Sequence, residues 1–345
     1  MGEIKVLIVD DSAFMRYVLS KQLNAVPGIR VVGTACNGVD ALDQVMALHP
    51  DVVTMDVTMP RMDGLQALQR LMARQPTPVV MVSNLTQRGA ATTVQALTLG
   101  AVDFVAKPPH ATRIRQVTEE LIEKIRVAAG ARVRALNGRA KQRVYPLSSV
   151  PPKPFQAGQK VLIIGSSTGG PRALRQLLVD LPGDLPAAVL IVQHMPPHFT
   201  RSLADSLNRL CALEVREAAS DDCLQVGLAL VAPGGYHLAV RRAAKIRLST
   251  APPLHGVRPA VDITMETAAD VYKSAVIGVV LTGMGYDGTR GACRIKQAGG
   301  TVIAEDESTS VVYGMPRSVV EAGVADQVVP LDQMAAAIVR ALEKE

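Results

Sequence analysis

Short runs of apolar residues, rich in Val, Ile and Leu, recur along this chain and constrain its fold more than any other feature. In the first half they are KVLIVD, VVGTA, DVVTMD, PVVMVS and AVDFVA; in the second they are VLIIG, AAVLIVQ, SAVIGVVLTG and TVIAE. A strand with one wet face alternates apolar and polar residues. An unbroken run suits a strand buried on both faces, as in a parallel sheet covered by helices. Helical patterns such as Ala13 to Ala25 and Gly64 to Ala73 lie between the runs, giving the alternation of an α/β fold. The expectation is a five-stranded parallel unit over residues 1–125 and a doubly wound, mainly parallel α/β unit over residues 159–345. Within the second, Val215 to Thr250 is richer in short strands, and LALVAPGGYHLAV reads as an antiparallel hairpin.

Residues 126–158 differ in character and read as a linker. The helical stretch TEELIEKIRVAA runs into a basic, Gly-punctuated segment and then PLSSVPPKPFQAGQ, whose prolines disfavour helix. Arg126, Arg132, Arg134, Arg139, Lys141 and Arg143 carry much of the net charge of +6. Such a run is either a solvated spacer or a patch for an acidic partner. With no Trp and only 3% aromatic residues, the chain lacks the stacking platforms of single-strand nucleic-acid binders. Cys36, Cys211, Cys223 and Cys293 are far apart and suggest neither a metal site nor a disulfide framework. The first residues read as a strand, not a signal peptide, and no apolar run approaches the ~20 residues of a membrane span. The expected compartment is the cytoplasm, with no nucleic-acid partner and no membrane insertion.

In a parallel sheet, ligands gather beyond the C-terminal ends of the strands. In the first half those ends carry Asp10 and Asp11, Asp56, Ser83 and Lys107. Each acid taken alone is read as a helix cap or a turn residue. Taken together, neighbouring carboxylates repel unless a hard cation joins them, and Mg²⁺ takes such oxygen ligands. A lysine alongside suits a phosphoryl group, and Asp56 then becomes a candidate acyl-phosphate nucleophile. The ordered set Asp10-Asp11, Asp56, Met59-Pro60, Asp63-Gly64, Ser83 and Lys107-Pro108 resembles the flavodoxin-like receiver domain of bacterial response regulators. That resemblance implies phosphorylation of Asp56 by a histidine kinase and Mg²⁺ held by Asp10, Asp11 and Asp56. It also implies phosphate sensing by Ser83 and Lys107, with Phe104 at an aromatic switch position.

In the second half, VLIIGSSTGGP ends a strand in small residues. It lacks the lysine of a phosphate-binding loop and the spacing of a dinucleotide fingerprint, although a phosphate cradle of backbone amides stays open. Gly165-Ser166-Ser167-Thr168-Gly169 fits G-x-S-x-G, a turn that exposes its central serine, which selects Ser167 over Ser166. A serine nucleophile needs a base. His49, His110, His237 and His255 lie on other segments, whereas His194 ends the next apolar run. His194 and His198 have helical spacing, but Pro196 and Pro197 disfavour a zinc-binding helix. Asp287, in the Gly-rich loop TGMGYDG, is the candidate third partner, with a plain Asp-Gly turn as the alternative.

The motifs IGSSTGGP, QHMPPHFTRSLADSLN, VAPGGYH, RPAVD, LTGMGYDG and YGMPRSV resemble the catalytic domain of chemotaxis protein-glutamate methylesterases. With the receiver in front, the chain is similar to the response-regulator methylesterase/glutaminases of the CheB family. The resemblance implies a Ser167–His194–Asp287 triad, an oxyanion amide from Met284, and no cofactor for the esterase reaction. It implies demethylation of glutamyl methyl esters and deamidation of glutamines on methyl-accepting chemoreceptors. Ser166 stands where many relatives have Ala, and Tyr286 where others have Asn. Phosphorylation at Asp56 is expected to open a catalytic face that the unphosphorylated receiver covers. Two other classes are weighed against this: a nucleotide-holding binding module, without serine reactivity, and a DNA-binding regulator, for which no helix-turn-helix pattern follows the linker.

Overall fold

A computed structural model describes residues 2–84, 87–107, 114–133 and 151–343. The chain divides into two compact units, residues 1–141 and 142–345. Among the described residues, no helix is long and apolar enough to cross a membrane.

The N-terminal unit alternates β1 (Ile4–Val9), α1 (Ala13–Asn24), β2 (Ile29–Ala35), α2 (Gly38–Leu48), β3 (Val52–Asp56), α3 (Gly64–Arg74), β4 (Val79–Asn84), α4 (Gln87–Thr98), β5 (Asp103–Lys107) and α5 (Ile114–Ala129). Its sheet is parallel throughout, in the order β2-β1-β3-β4-β5. Each apolar run is a strand; the central β1, β3 and β4 are almost wholly buried because helices cover both faces, whereas the edge strand β2 is only partly buried. Side chains stop the chain from continuing as strand. Ser12, Asn37 and Asp63 accept backbone N–H groups at the starts of α1, α2 and α3, satisfying donors that a helix leaves orphaned. Gly64 follows Asp63 because space requires it: a Cβ there would lie 2.0 Å from the Asp56 carbonyl oxygen. The strand order reverses between β1 and β3, so their C-terminal ends flank a crevice.

The C-terminal unit is built from β6 (Lys153–Pro154), β7 (Lys160–Ser166), α6 (Gly170–Asp180), β8 (Ala187–Gln193), α7 (Phe199–Asn208), β9 (Glu214–Glu217), β10 (Gln225–Val226), β11 (Leu228–Val231), β12 (His237–Val240), β13 (Ile246–Ser249), α8 (Val261–Tyr272), β14 (Val276–Val280), α9 (Thr289–Gln297), β15 (Thr301–Glu305), α10 (Met315–Glu321), β16 (Gln327–Val329) and α11 (Leu331–Glu343). Seven strands pair in the order β16-β15-β14-β7-β8-β11-β9, all in parallel. From β7 the chain steps one way through α6 to β8, and from β14 the other way through α9 to β15. Right-handed crossovers in opposite directions put helices on opposite faces. One face packs Val161, Ile163, Leu190 and Val280 against Val261 and Met265 of α8 and Ile295 of α9. Each such buried side chain contributes roughly 1.5–3 kcal/mol.

The hairpin is displaced from its expected place. Leu228–Val231 is not a hairpin arm but a parallel strand between β8 and β9. The antiparallel pair is β12 with β13, His237 opposite Ser249. Pro233-Gly234-Gly235 is a turn between two separate sheets, and Gly234 packs so closely on Pro196 that a Cβ would lie 2.3 Å from its carbonyl carbon. A Pro-Gly-Gly turn between apolar runs carries no information about whether the runs pair with each other. At the other end of the linker segment, α5 runs on to Ala129, and Lys153–Pro154 pairs with Gln225–Val226.

Candidate functional site

The crevice of the N-terminal unit gathers the acids singled out above. Asp10 and Asp56 are buried and Asp11 is exposed, and one oxygen of each lies within 4.8 Å of one from each of the others. Lys107 Nζ reaches in from the end of β5, donating to Asp10 Oδ2 at 2.9 Å and Asp56 Oδ2 at 2.7 Å. Burial lifts the Asp56 carboxyl above its ordinary pKa, and the Lys107 ammonium only partly offsets this. Ser83 is buried at the end of β4, one residue beyond the partner of Asp56 and beside the strand bearing Lys107. Phe104 is buried; the Lys124 ammonium donates to its carbonyl and lies 5.1 Å from its ring centroid. An all-oxygen donor set with one water-facing member fits a hard divalent cation.

In the C-terminal unit, Ser167, His194 and Asp287 follow β7, β8 and β14, three adjacent strands. Ser167 is half-buried, between the end of β7 and the left-handed Gly169 (φ +79°) that caps α6. Its N–H donates to Thr282 O at 3.0 Å, and its carbonyl accepts from Gly170 N at 2.8 Å. His194 N donates to Ser166 O at 3.1 Å, the last rung between the two strands. The imidazole then turns towards the β14 loop, where Nε2 lies 2.7 Å from Asp287 Oδ2. Protonated at Nε2, the ring donates to Asp287 and keeps the Nδ1 lone pair for a second partner.

Asp287 is 3% exposed and fully satisfied. Oδ2 also accepts Val261 N at 2.7 Å, while Oδ1 accepts Asp262 N and Gly288 N, each at 3.0 Å. Two of those amides belong to the first turn of α8, where the helix dipole favours an anion. Burial alone would raise the carboxyl pKa. The bond from His194 and the backbone donors outweigh it and hold the group below its ordinary value.

The loop after β14 closes on the serine. A Cβ on Gly283 would lie 2.8 Å from Ser167 Cβ, so only glycine fits. Gly314 abuts the next residues in the same way, with a Cβ 3.2 Å from Met284 Cα. Among the described residues the Met284 N–H donates to no acceptor, and its side chain is exposed. Beneath the loop, Glu305 Oε2 accepts Thr282 N at 2.8 Å. Oε1 of the same residue is buried and meets no donor in good hydrogen-bond geometry among the described residues; burial outweighs the Thr282 N–H and the nearby Thr309 hydroxyl and pushes the carboxyl up to about 7.

Sequence reasoning passed over a second histidine–aspartate pair beside the first. His255 Nε2 lies 2.9 Å from Asp262 Oδ2, and Asp262 Oδ1 shares the Gly288 N–H with Asp287. Burial and then the nearby Asp287 charge raise the Asp262 pKa. The His255 ring stacks edge-on against Tyr286, centroids 4.7 Å apart. The signal lay in RPAVD, where Asp262 occupies the first turn of a helix. Of the other histidines, His49 is exposed at the end of α2, and His237 is buried in β12 with Nε2 3.1 Å from Pro252 O. His110, Arg134, Arg139, Lys141 and Arg143 lie outside the described residues.

Residues 162–338 match the family model described as CheB methylesterase, and residues 6–119 match the response regulator receiver domain. A protein-glutamate methylesterase/protein-glutamine glutaminase of Symbiobacterium thermophilum is 51% identical over 98% of this chain and 97% of its own. Its counterpart in Geobacillus kaustophilus is 50% identical over 99% of each. The crystal structure of the Thermotoga maritima CheB methylesterase catalytic domain covers 53% of this chain and 99% of its own, at 46% identity and a TM-score of 0.52.

The Glu305 geometry generates a pH prediction. A carboxyl raised from 4.5 to about 7 on folding leaves the native state holding the extra proton. Its stabilising effect is complete below pH 4.5 and is lost as pH rises through 7, at most about 3 kcal/mol. The stability of Glu305→Gln relative to wild type therefore rises between pH 5 and pH 8 in denaturant titrations. Parallel pH dependence of the two proteins would contradict the assignment.

Proposed function

The chain belongs to the CheB methylesterase family, with a receiver domain ahead of the catalytic unit, and on that footing we propose that Ser167, His194 and Asp287 form its esterase and glutaminase centre. The substrates are γ-glutamyl methyl esters and glutamine amides on the cytoplasmic helices of methyl-accepting chemoreceptors, and phosphorylation of the receiver regulates the reaction. The observation that carries the triad reading is the 2.7 Å His194–Asp287 contact, made by the loops of two strands that flank the serine's own.

His194 Nδ1 takes the Ser167 hydroxyl proton as Oγ attacks the ester carbonyl. The carbonyl oxygen becomes an oxyanion, received by the Met284 N–H. A preorganised donor of this kind contributes about 3–4 kcal/mol in other enzymes. The imidazolium, stabilised by ionised Asp287, gives its proton to the departing methoxide, and methanol leaves an acyl-serine. Water attacks the acyl carbon with His194 again as base, and the glutamate carboxylate departs as Ser167 regains its proton. An amide follows the same path and releases ammonia.

In the receiver, Asp56 attacks the phosphorus of a phosphohistidine on a kinase, and the histidine nitrogen leaves. Asp10, Asp11 and Asp56 would hold Mg²⁺, which supplies charge neutralisation for the phosphoryl oxygens. Lys107 sits on two of those acids before transfer and reaches the phosphoryl group after it, with Ser83 alongside.

Ser167→Ala should lower methanol release from methylated receptors by at least about 10⁴-fold while still accepting phosphate at Asp56. Wild-type release from that variant would refute the triad. For the receiver, Asp56→Asn should show no stimulation of methanol release by acetyl phosphate, and full stimulation would refute regulation through that residue.

A further inference from the structure

We propose that Gln193 is a positioning residue that ties the nucleophile loop to the base loop, and that residue 170 is glycine in order to admit it. The inference rests on the triad reading above. Gln193 ends β8, where every residue is buried, and is itself 2% exposed. A carboxamide there is costly to bury unless its hydrogen bonds are made. Oε1 accepts the Ser166 hydroxyl at 2.7 Å, and Nε2 donates to Ser167 O at 3.0 Å and to His194 O at 3.2 Å. Both amide hydrogens thus go to the backbones of the two residues that must exchange a proton. Neither reacting side chain is touched.

The bridge sits where the sheet no longer holds these backbones together. The β7–β8 pairing ends with Ser166 opposite Gln193, and the His194 N to Ser166 O bond is its last rung. Beyond that rung the two loops part, one into α6 and the other towards α7, and the carboxamide supplies the missing cross-link. Gly170 supports the same conclusion independently. Its neighbour Gly169 has the positive φ that the turn needs, and Gly170 does not. A Cβ on Gly170 would instead lie 2.0 Å from Gln193 Oε1 and 2.9 Å from Ser166 Oγ. The second glycine of the pair is therefore a cradle for the carboxamide.

Misplacing a reacting group by about 1 Å can cost on the order of 10² in rate, so releasing the bridge should act on kcat. Gln193→Met keeps the length and loses all three bonds. Gly170→Ala keeps Gln193 and displaces it. Ser166→Ala is the control, because it removes one buried hydrogen bond of the same side chain and spares both bridging donors. In the full chain, with methanol release from methylated receptors as readout, Gln193→Met and Gly170→Ala should lose at least about tenfold in kcat. KM should change little in both, and Ser166→Ala should stay close to wild type. Should Gln193→Met fail to fold, the isosteric Gln193→Glu makes the same test, because it turns an oxygen towards two carbonyl oxygens. A near-wild-type kcat in the folded Gln193 variant, a change in KM alone, or an equal kcat loss in Ser166→Ala would overturn the inference. Ser167→Ala runs in the same assay: if it is inactive while Gln193→Met is fully active, only the bridge fails, and if it is active the triad itself fails.

Discussion

The carboxylate of Asp287 is the joint on which the C-terminal site turns. Three backbone N–H groups and one imidazole hold it, and they come from three separate segments: the loop after β14, the first turn of α8 and the loop after β8. For these to meet, α8 must approach the sheet closely. Gly165 permits this, since a Cβ at that position would lie 2.5 Å from Val261 Cγ1. The first glycine of GSSTG therefore lets a helix bring two amides to an aspartate that belongs to another loop. The serine, the histidine and the aspartate are placed by backbone contacts, and side-chain flexibility has little part in it.

The two sites handle buried acids in different ways. In the N-terminal crevice, Asp56 has few backbone donors, burial lifts its pKa, and a lysine supplies the opposing charge. That arrangement suits the proposed phosphoryl acceptor, since its charge partner is a single lysine side chain and not a set of fixed amides. In the C-terminal site, both Asp287 oxygens are saturated, which suits the orienting, non-reacting part it takes in the proposed triad. Asp262 lies between these cases, with Gly288 N–H shared with Asp287 and His255 as its counterpart. Two neighbouring buried acids would repel strongly without these donors.

Much of the fold was legible because buried parallel strands have a composition of their own: every unbroken apolar run became a strand. That Ser167, His194 and Asp287 would follow neighbouring strands was legible for a related reason, since each follows such a run and strand ends converge at a reversal of strand order. The hairpin was misplaced because apolar arms on either side of Pro-Gly-Gly look alike whether they pair together or join different sheets. His255 was passed over because its partner, Asp262, is near in sequence but faces the site only through the geometry of α8. Gln193 drew no notice in the sequence, where it only closes the apolar run AAVLIVQ. Its three bonds go to residues of two loops, and no local pattern encodes such a contact. Gly170 is one of the small residues of GSSTGGP, and only the carboxamide packed against it separates its role from that of Gly169.

The central claim is that a backbone-clamped Asp287 engages His194 through Nε2 and so leaves Nδ1 as the base for Ser167. ¹⁵N NMR of the histidines, with His194 assigned by substitution and recorded where the ring is neutral, reads the tautomer directly. The account predicts a proton on Nε2 and an unprotonated Nδ1, with that preference lost in Asp287→Ala. A proton on Nδ1 in the wild-type protein would contradict it.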